Sequence, residues 1–486
     1  MQSNEITTAE AIEDKVFLVT GGLGYVGSAL CLELLRRGAR QVRAFDLRPT
    51  SPWSKSLTTA GVQFIQGDLT EKEDVGNAIR GADCVFHLAS YGMSGKEMLR
   101  FTRVDQININ GTSHVLEACL QFDVARLVYV STTNVVFGGK EIVNGNESLP
   151  YFPLDDHVDP YSHSKSIAEQ LVLSHSGRPF KTNNRGKLHT CAVRPAGIYG
   201  PGEERHLPRI ISHAKWGLLP IRIGDMSVMT DWVYVENLVL ALILASIGLS
   251  DGRGDLEGKS PVASGQAYFI SDGSPINSYK FMQPLLRSLG YDIPKVSVPV
   301  SHVIATARAS WAIYKFLYTW LNHAWLPPPL ILPAEIHKVG VTHYFSNFKA
   351  EEELGYVPPV TPREAMDATI SYWQERKRET LDGPTIWPWL IVGFGLGMLF
   401  CAAFVPNAAG PVVPLLRGFS LVFLRSMWMV RAVAVAAAVA HVAEAVYALE
   451  LAKKVDPVNA KGWFWQTLAL GFFSLRLLLK RRELGR

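Results

Sequence analysis

The chain has 486 residues, which is longer than one compact core usually sustains, so at least two folding units are expected. Its five cysteines are widely spaced without a Cys-x-x-Cys pair, which argues against a disulfide framework or a structural zinc site and favours a reducing compartment. Residues 1–385 hold 37 basic and 40 acidic side chains, whereas residues 386–486 hold 11 and 4. The N-terminal part therefore lacks the basic surface of a nucleic-acid-binding protein, and a membrane explains the basic tail better.

The chain from residue 15 to residue 200 has the pattern of an α/β domain. Residues 1–14 are polar and contain no apolar run of signal-peptide length, so they predict a flexible N-terminus followed by a cytosolic domain. Short β-branched runs then alternate with stretches of helical period, which predicts a Rossmann-type doubly wound parallel sheet. The predicted strands are residues 16–19, 42–45, 64–65, 84–88, 127–130 and 191–193.

A glycine-rich turn follows the first predicted strand. It reads Thr20-Gly21-Gly22-Leu23-Gly24-Tyr25-Val26-Gly27, and a stretch of helical period comes next. Gly21 permits a tight turn, Gly24 lets the backbone approach a pyrophosphate, and Gly27 lets helix and strand pack closely. The N-terminus of the helix would then face the phosphates of a dinucleotide.

Two aspartates bear on the choice of cofactor. Asp46 ends the second predicted strand, where a carboxylate accepts hydrogen bonds from ribose hydroxyls and repels a 2′-phosphate. It therefore favours NAD over NADP, although Arg48 weakens this preference. Asp68 follows the third strand and is a candidate contact to the adenine edge. Both aspartates could also be ordinary turn residues.

The candidate chemical site begins with Tyr161 and Lys165, which lie one helical turn apart on the same face. A neighbouring ammonium and a positively charged nicotinamide favour the phenolate, so Tyr161 could accept a hydroxyl proton while a hydride leaves the same carbon. The run Ser131-Thr132-Thr133 follows the fifth strand, at the edge where open α/β sheets bind ligands, and a hydroxyl there could hold the substrate oxygen. Asn108 could fix a water molecule behind the lysine or cap a helix.

Residues 201–380 are expected to form a smaller substrate subdomain against the carboxyl edge of the sheet. Within it, residues 296–333 are rich in aromatic side chains and carry Arg308 and Lys315 seven positions apart. Two interpretations stay open for this stretch: an interfacial helix near residues 300–330, or a buried cap helix with two solvated cations.

An all-α transmembrane tail is predicted for residues 386–486. Residues 386–405 carry no charge and, at about 1.5 Å per residue, would cross the roughly 30 Å hydrocarbon layer. Residues 432–449 and 462–479 are further predicted spans, which gives three. Residues 412–430 are more consistent with an interfacial or re-entrant piece because of their arginines, and counting them gives four.

Polar residues in the tail leave its role open. His441 and Glu444 lie one turn apart inside the second predicted span, where ionisable groups are costly. They either have a functional role or pair with each other or with Arg476. Lys and Arg residues flanking the spans number six on one side and seven on the other, which decides no orientation. The lack of a signal places the first 385 residues in the cytosol.

Several of these motifs together resemble a known enzyme family. The glycine-rich turn, the run Ser131-Thr132-Thr133, the pair Tyr161 and Lys165, and residues 194–202 are similar to the extended short-chain dehydrogenases/reductases. Within that group the chain resembles the 3β-hydroxysteroid dehydrogenase/isomerase family, and most closely family 42E. The closer resemblance rests on residues 87–95, 134–139, 202–209 and 340–346, and it covers roughly residues 14–375.

The resemblance implies a role for each site residue. It makes Tyr161 the acid/base, and it makes Lys165 the partner that adjusts the pKa of Tyr161 and also a ligand of the cofactor ribose. Thr133 becomes the hydrogen-bond donor to the substrate oxygen, with Thr132 as the alternative. Asn108 matches the family's Asn-x-x-Gly-Thr element. No metal is expected, and NAD is the implied cofactor, with NADP less favoured. The implied cofactor contacts are Gly21, Gly24, Tyr25, Val26, Gly27, Asp46, Asp68, Leu69, Ala89, Lys165 and Pro195.

The predicted function is that of a membrane-bound NAD-dependent dehydrogenase acting on a secondary alcohol, which the resemblance implies is the 3β-hydroxyl of a steroid or sterol. Alternatives are a decarboxylating sterol 4-carboxylate 3-dehydrogenase, a nucleotide-sugar epimerase or dehydratase, and a non-catalytic NAD-binding membrane scaffold. The expected location is the endoplasmic reticulum membrane, with several spans and the catalytic domain in the cytosol. The multi-span tail departs from family 42E, whose members end in shorter hydrophobic anchors, and it could join a second copy or another membrane protein.

Overall fold

The computed structural model describes residues 11–93, 97, 100–157, 159–182, 186–217, 221–250, 260–320, 332–407, 410 and 412–484. The chain forms two compact units, each built from several segments. The first comprises Met1–Arg205, Ile221–Pro284 and Lys295–Thr369, and the second comprises His206–Pro220, Leu285–Pro294 and Ile370–Arg486.

The strands found in the described residues all lie in the first unit. They are β1 Val16–Thr20, β2 Gln41–Asp46, β3 Gln63–Gln66, β4 Cys84–His87, β5 Arg126–Val130, β6 Ile142–Gly145, β7 Arg178–Pro179, β8 Lys187–Pro195, β9 Gly197–Tyr199, β10 Ile221–Ile223, β11 Trp232–Tyr234, β12 Ala267–Ile270, β13 Val296–Val298 and β14 His343–Phe345.

The helices connect these strands and then form the tail. They are α1 Tyr25–Arg36, α2 Ser54–Ala60, α3 Lys72–Ile79, α4 Phe101–Asp105, α5 Gly111–Gln121, α6 Pro160–Ser174, α7 Leu207–Trp216, α8 Val235–Gly248, α9 Ser278–Ser288, α10 Val300–Trp320, α11 Pro333–Gly340, α12 Phe348–Leu354, α13 Pro362–Glu379, α14 Ile386–Phe404, α15 Val412–Leu424, α16 Met427–Val455, α17 Ala460–Leu470 and α18 Phe472–Leu484.

One large parallel sheet organises the first unit. Its strand order is β12-β8-β5-β4-β1-β2-β3, with the short β7 added antiparallel to β8. Because successive side chains of a strand point to opposite faces, Phe17 and Val19 of β1 enter one hydrophobic core and Val16 and Leu18 enter another. A strand buried on both faces needs helices on both sides of the sheet. The expected Rossmann-type doubly wound sheet is confirmed, and all six predicted strands lie in it.

The expected division at residue 200 does not follow the sheet. Strand β12, Ala267–Ile270, pairs in parallel with β8 at the edge of the large sheet. Helix α8, Val235–Gly248, contributes Leu238 and Leu242 to the same hydrophobic core as β1. The chain thus returns to the Rossmann core after residue 200, because α8 and β12 each present a strongly apolar face that the core buries.

Three small two-stranded sheets accompany the large sheet in the described part of the first unit. They pair β9 with β11, β10 with β13, and β6 with β14. The last pairing connects residues distant in sequence, since Ile142 lies opposite His343. Helix α10 exposes large apolar side chains over its later turns, with Ile313 60% and Phe316 64% accessible. The segment 321–331, part of the stretch expected to be interfacial, lies outside the described residues.

The second unit contains the apolar helices of the tail. Two of them, Ile386–Phe404 and Met427–Val455, are long and apolar enough to cross a membrane. The first predicted span coincides with one of these helices to within a residue, and the second lies within the other, so both are candidate membrane spans by length and composition. Helix α15, Val412–Leu424, covers the first part of the piece expected at residues 412–430, whereas residues 427–430 belong to α16.

The third predicted span, residues 462–479, is not one continuous helix. It is divided at Gly471, whose φ of 56° and ψ of −137° lie in a region accessible essentially to glycine alone. Hydropathy measures composition and does not detect such a break. The number of membrane crossings therefore stays a prediction.

His441 and Glu444 both reach this break. His441 Nδ1 lies 3.0 Å from the Leu468 carbonyl oxygen. A Cβ at Gly471 would lie 2.8 Å from Glu444 Oε2 and 2.9 Å from His441 Nε2. Arg476, considered as a partner for them, stacks over the Phe473 ring at 5.3 Å. The two polar side chains thus line a place where a helix has lost its continuous hydrogen bonding.

Candidate active site

The glycine-rich turn joins β1 to α1 in a tight conformation. Gly21 has a φ of 69°, its N–H donates to the Phe45 carbonyl at 2.8 Å, and its carbonyl accepts from the Gly24 N–H at 2.9 Å. A Cβ at Gly27 would lie 2.2 Å from the Gly21 oxygen, so only glycine lets the helix pack this closely. Gly22, to which the sequence assigned no role, would place a Cβ 2.6 Å from the Cβ of Ala44.

Asp46 ties this turn to the end of β2. Its Oδ2 accepts the Leu23 N–H at 3.1 Å, and its Oδ1 accepts the Arg48 N–H at 3.0 Å. The Arg48 side chain, about half exposed, lies 3.5 Å from the same carboxylate. An anionic and a cationic group therefore lie side by side at the strand end where the adenosine ribose of a dinucleotide would bind.

Asp68 is more firmly built into its own turn. Its carboxylate accepts the Thr70 N–H at 2.9 Å and a bond from Arg103 Nη2 at 3.1 Å. Although partial burial raises it, these hydrogen bonds and the Arg103 charge hold the pKa of Asp68 below its usual range. Among the neighbouring implied contacts, the Leu69 carbonyl lies 2.9 Å from His114 Nδ1, and the Ala89 N–H donates to Thr20 Oγ1 at 3.2 Å.

The remaining implied cofactor contacts lie at element ends. Tyr25 and Val26 open α1, directly after its N-cap Gly24. Pro195 ends β8 at the carboxyl edge of the large sheet. The Tyr25 ring packs 5.9 Å from the Trp53 ring. These residues share the edge that carries the glycine-rich turn.

Helix α6 begins where its sequence predicts and carries Tyr161 and Lys165. Asp159 caps it by accepting the Ser162 N–H at 2.8 Å, and Pro160 occupies the first turn. Both Tyr161 and Lys165 are buried. The Lys165 ammonium lies 4.0 Å from the centre of the Tyr129 ring. Burial lowers the pKa of Lys165 to about 7, against the opposing effect of Glu169.

The environment of Tyr161 differs from the one expected. Burial raises the pKa of its phenol to about 12, while the Arg205 charge and a hydrogen bond with Ser90 act to lower it. Arg205 is therefore a cation that favours the phenolate and that the spacing of Tyr161 and Lys165 did not indicate. Neither Arg205 nor Ser90 was identified from the sequence, because both reach the phenol only through the tertiary fold.

The hydroxyls after β5 are distinguishable by their partners. Thr132 Oγ1 accepts the Asn134 N–H at 3.2 Å and caps the 3₁₀ turn Thr133–Val135. One lone pair of the Thr132 hydroxyl is thus used within its own turn. The neighbouring Thr133 is buried. Ser131 Oγ is buried and has no hydrogen-bond partner within the part of the chain that the structure describes. Because accepting the Asn134 N–H leaves the Thr132 O–H able to donate, these contacts do not decide between Thr133 and Thr132 as the donor to a ligand.

Asn108 is not a helix cap. It lies in a π-helical turn, Gln106–Asn110, and its amide exchanges hydrogen bonds with the Tyr91 backbone at 2.8 and 2.9 Å. Its Nδ2 also donates to Ser164 Oγ at 2.9 Å, and Ser164 Oγ donates to the Tyr161 carbonyl at 2.9 Å. Asn108 therefore supports the first turn of α6 through Ser164.

His87 is a buried residue that sequence reasoning missed. The parallel register places it beside Thr20 on β1 and beside Tyr129 on β5. Its ring nitrogens lie 2.7 Å from Thr20 Oγ1 and 2.9 Å from Thr112 Oγ1. Burial, together with the Lys165 charge, lowers the pKa of His87 to about 3, so the ring is neutral. Its position at the end of the predicted fourth strand was the available signal.

Comparisons with known proteins bear on both parts of the chain. Residues 18–300 match the family model described as 3-beta hydroxysteroid dehydrogenase/isomerase family, and residues 387–480 match the one described as Transmembrane protein 254. The chain is 43% identical over 379 residues to short-chain dehydrogenase/reductase family 42E member 1 of Homo sapiens, covering 77% of this chain and 92% of that protein.

A second relative and the solved structures extend this comparison. The chain is 34% identical over 373 residues to 3beta-hydroxysteroid-dehydrogenase/decarboxylase isoform 1 of Arabidopsis thaliana, covering 74% of this chain and 80% of that protein. An epimerase of Methanothermobacter thermautotrophicus has a TM-score of 0.56 at 22% identity, covering 77% of this chain and 96% of that one. A short-chain dehydrogenase/reductase superfamily protein from Agrobacterium tumefaciens, with bound NAD, has a TM-score of 0.53 at 20% identity over 75% and 98%. At these identities the solved structures establish the fold.

Proposed function

The chain belongs to the 3β-hydroxysteroid dehydrogenase/isomerase family, and on that premise we propose that it oxidises the 3β-hydroxyl of a membrane-dissolved steroid or sterol with NAD. Family membership makes it an oxidoreductase that uses a nicotinamide dinucleotide. One observation carries the proposal: Tyr161 and Lys165 are buried together at the carboxyl end of β5, on the sheet edge that also holds the glycine-rich turn.

The turn residues fit a dinucleotide. Gly24 precedes the first N–H groups of α1 and has no side chain, so the backbone there is open to a pyrophosphate. The carboxylate of Asp46, at the end of β2, would accept the adenosine ribose hydroxyls. Its charge favours NAD, while Arg48 beside it would tolerate a 2′-phosphate.

The proton chemistry belongs to Tyr161. When bound, the nicotinamide supplies a hydride acceptor and a positive charge. Thr133 would hold the substrate oxygen and Tyr161 would take its proton. Since burial raises the pKa of the phenol to about 12, the free protein holds Tyr161 neutral, and positive charge close to it is needed to reach the phenolate. Asn108, through Ser164, keeps the turn that carries Tyr161 in place.

A lipid substrate accounts for the apolar surfaces. A sterol partitions into the bilayer, and a tethered enzyme meets it there at a raised local concentration. The exposed Ile313 and Phe316 of α10 suit an interfacial helix. We place the protein in the endoplasmic reticulum membrane with several spans and its catalytic part in the cytosol, where its buried free cysteines would stay reduced.

Decarboxylation of a sterol 4-carboxylate is the second candidate. The Arg205 charge acts on the Tyr161 phenol, so a cation stands near the position of the reacting hydroxyl. Such a cation would attract a carboxylate on the adjoining carbon. The Arabidopsis relative carries the name of a dehydrogenase/decarboxylase, which favours the same class.

A substrate panel tests the proposal. Full-length protein in detergent is incubated with NAD and 3β-hydroxysteroids, 4-carboxysterols or UDP-sugars. The absorbance of reduced cofactor follows dehydrogenation, and chromatography of the products follows epimerisation or dehydration of the sugars, which regenerate NAD. Sterol turnover that falls by at least about 100-fold in Tyr161→Phe is expected. Turnover of 4-carboxysterols alone would select decarboxylation, turnover of UDP-sugars alone would refute the substrate class, and NADH binding without any turnover would favour the scaffold.

A further inference from the structure

A buried carboxylate lies one helical turn beyond Lys165 on α6. Glu169 is fully buried, and its oxygens accept bonds from Arg194 Nε at 3.0 Å and Arg194 Nη2 at 2.6 Å. The Tyr151 hydroxyl donates to the same carboxylate at 2.8 Å. Arg194 is itself buried on β8, where its guanidinium packs over the rings of Tyr151 and Phe269. These contacts hold the carboxylate in one position against the Arg194 guanidinium.

Lys165 needs a counter-charge at its site. Its Nζ donates to the Val130 carbonyl at 2.6 Å and faces the Tyr129 ring, while the neighbouring His87 ring is neutral. Burial disfavours the ammonium, and the charge of Glu169 opposes that effect. The spacing of four residues puts Glu169 and Lys165 on the same face of α6.

We propose that Glu169 is a positioning residue that keeps Lys165 charged without binding it. This inference rests on the role proposed above for Lys165 as a ligand of the cofactor ribose. Because Arg194 and Tyr151 occupy the carboxylate, Glu169 acts on Lys165 through its electric field. Lys165 has three N–H donors, and the bond to Val130 leaves two of them for ribose hydroxyls.

A purely structural role makes a different prediction. In that case Glu169 only neutralises Arg194, and its loss would disturb the fold without changing the protonation of Lys165. The single variant Glu169→Gln leaves Arg194 buried and unpaired, which can prevent folding. A double variant, Glu169→Gln with Arg194→Gln, removes both charges and leaves no unpaired ion behind.

The test measures NADH affinity against pH by fluorescence, with full-length protein in detergent. Wild-type affinity is expected to fall as pH rises through the titration of Lys165. In Glu169→Gln, this fall should move to lower pH by about one unit or more, because an unopposed burial effect deprotonates Lys165 earlier. In the double variant the fall should move in the same direction by less, because loss of the Arg194 cation partly offsets loss of the carboxylate. Tyr151→Phe removes one hydrogen bond from Glu169 and keeps its charge, so its profile should match wild type.

Each result decides the matter. A folded double variant with the wild-type profile would overturn the proposal, as would an equal shift in Tyr151→Phe or a wild-type affinity independent of pH. If the single variant does not fold, the double variant alone is decisive. The readout needs no substrate, so a failure of sterol oxidation would refute the proposed function and leave this test standing.

Discussion

The Lys165 ammonium donates a 2.6 Å hydrogen bond to the Val130 carbonyl at the last residue of β5. This contact fixes the first turns of α6 against the carboxyl end of the sheet and places a cation where almost no water reaches it. Tyr161, one turn earlier on the same helix, is positioned by the same anchor. Both the chemistry and the stability of the protein should therefore depend on the protonation of this one amine.

Lys165→Met should change the pH dependence of stability. Burial lowers the pKa of Lys165 to about 7 from its ordinary value of 10.5, so the unfolded chain binds the proton more tightly than the folded one. Burial of the protonated amine therefore destabilises the folded state. This destabilisation is absent above pH 10.5, grows as pH falls, and is complete below about pH 7, where it amounts to at most about 5 kcal/mol. Denaturant titrations at pH 6 and at pH 10 should show wild type gaining stability relative to Lys165→Met as pH rises. If the free energy of unfolding rose equally in both proteins between pH 6 and pH 10, the lowered pKa of Lys165 would be contradicted.

Tyr161→Phe should separate chemistry from binding. The phenyl ring preserves the packing, and loss of the bond with Ser90 should cost only about 1 kcal/mol. Turnover should fall by about 10² to 10⁴, while NADH affinity stays within about threefold of wild type. In wild type, turnover should rise with pH because burial keeps the phenol protonated near neutrality. Steady-state rates and NADH titrations on the same samples check both parts, with Ser90→Ala as a variant that keeps the phenol.

Asp46→Asn should relax the preference for NAD. The amide oxygen can still accept the Leu23 N–H, so the turn is preserved while the negative charge is removed. The ratio of NADH to NADPH affinities should fall by about tenfold, and Arg48→Ala should raise it, because Arg48 is the cation beside the same ribose position. Paired cofactor titrations measure both ratios. An unchanged ratio in Asp46→Asn would show that another group discriminates against the 2′-phosphate.

Local patterns predicted most of the sheet and the glycine-rich turn. Five of the six predicted strands are largely buried, the exception being β3 with its exposed Phe64, and the glycines meet steric demands that a Cβ would violate at Gly27. The pair Tyr161 and Lys165 was likewise visible, because helical spacing alone puts both on one face. These features depend on residues close together in the chain.

Other features depend on contacts between distant residues. Arg205 and Ser90 reach Tyr161 only when separate segments meet, and Glu169 is held by Arg194 from another element. Strand β12 joins the large sheet after a long excursion, which periodicity does not record. The break at Gly471 is a backbone conformation inside an apolar run, and hydropathy cannot distinguish it from a continuous helix.

Arg481→Gln should loosen the segment that leads into the apolar tail. Within the second unit, Arg481 donates to the Thr380 carbonyl at 3.0 Å and pairs with Asp456 at 3.0 Å and Asp382 at 3.5 Å. The Gln466 side chain also holds the Asp382 carbonyl at 2.9 Å.

Glutamine removes the charge and most of the donors, leaving the buried Asp456 with Trp463 and Asn459 as its partners. Segment 379–385 should then open locally more often, since opening no longer breaks the bonds to Arg481. Limited trypsin digestion of the protein in detergent should cut after Lys377 or Arg378 about tenfold faster than in wild type. Lys453→Gln, which removes an exposed ion pair on the same tail, is the matched control and should cut at the wild-type rate. Equal cutting of Arg481→Gln and wild type would mean that the remaining bonds, such as the one from Gln466, suffice to hold the segment.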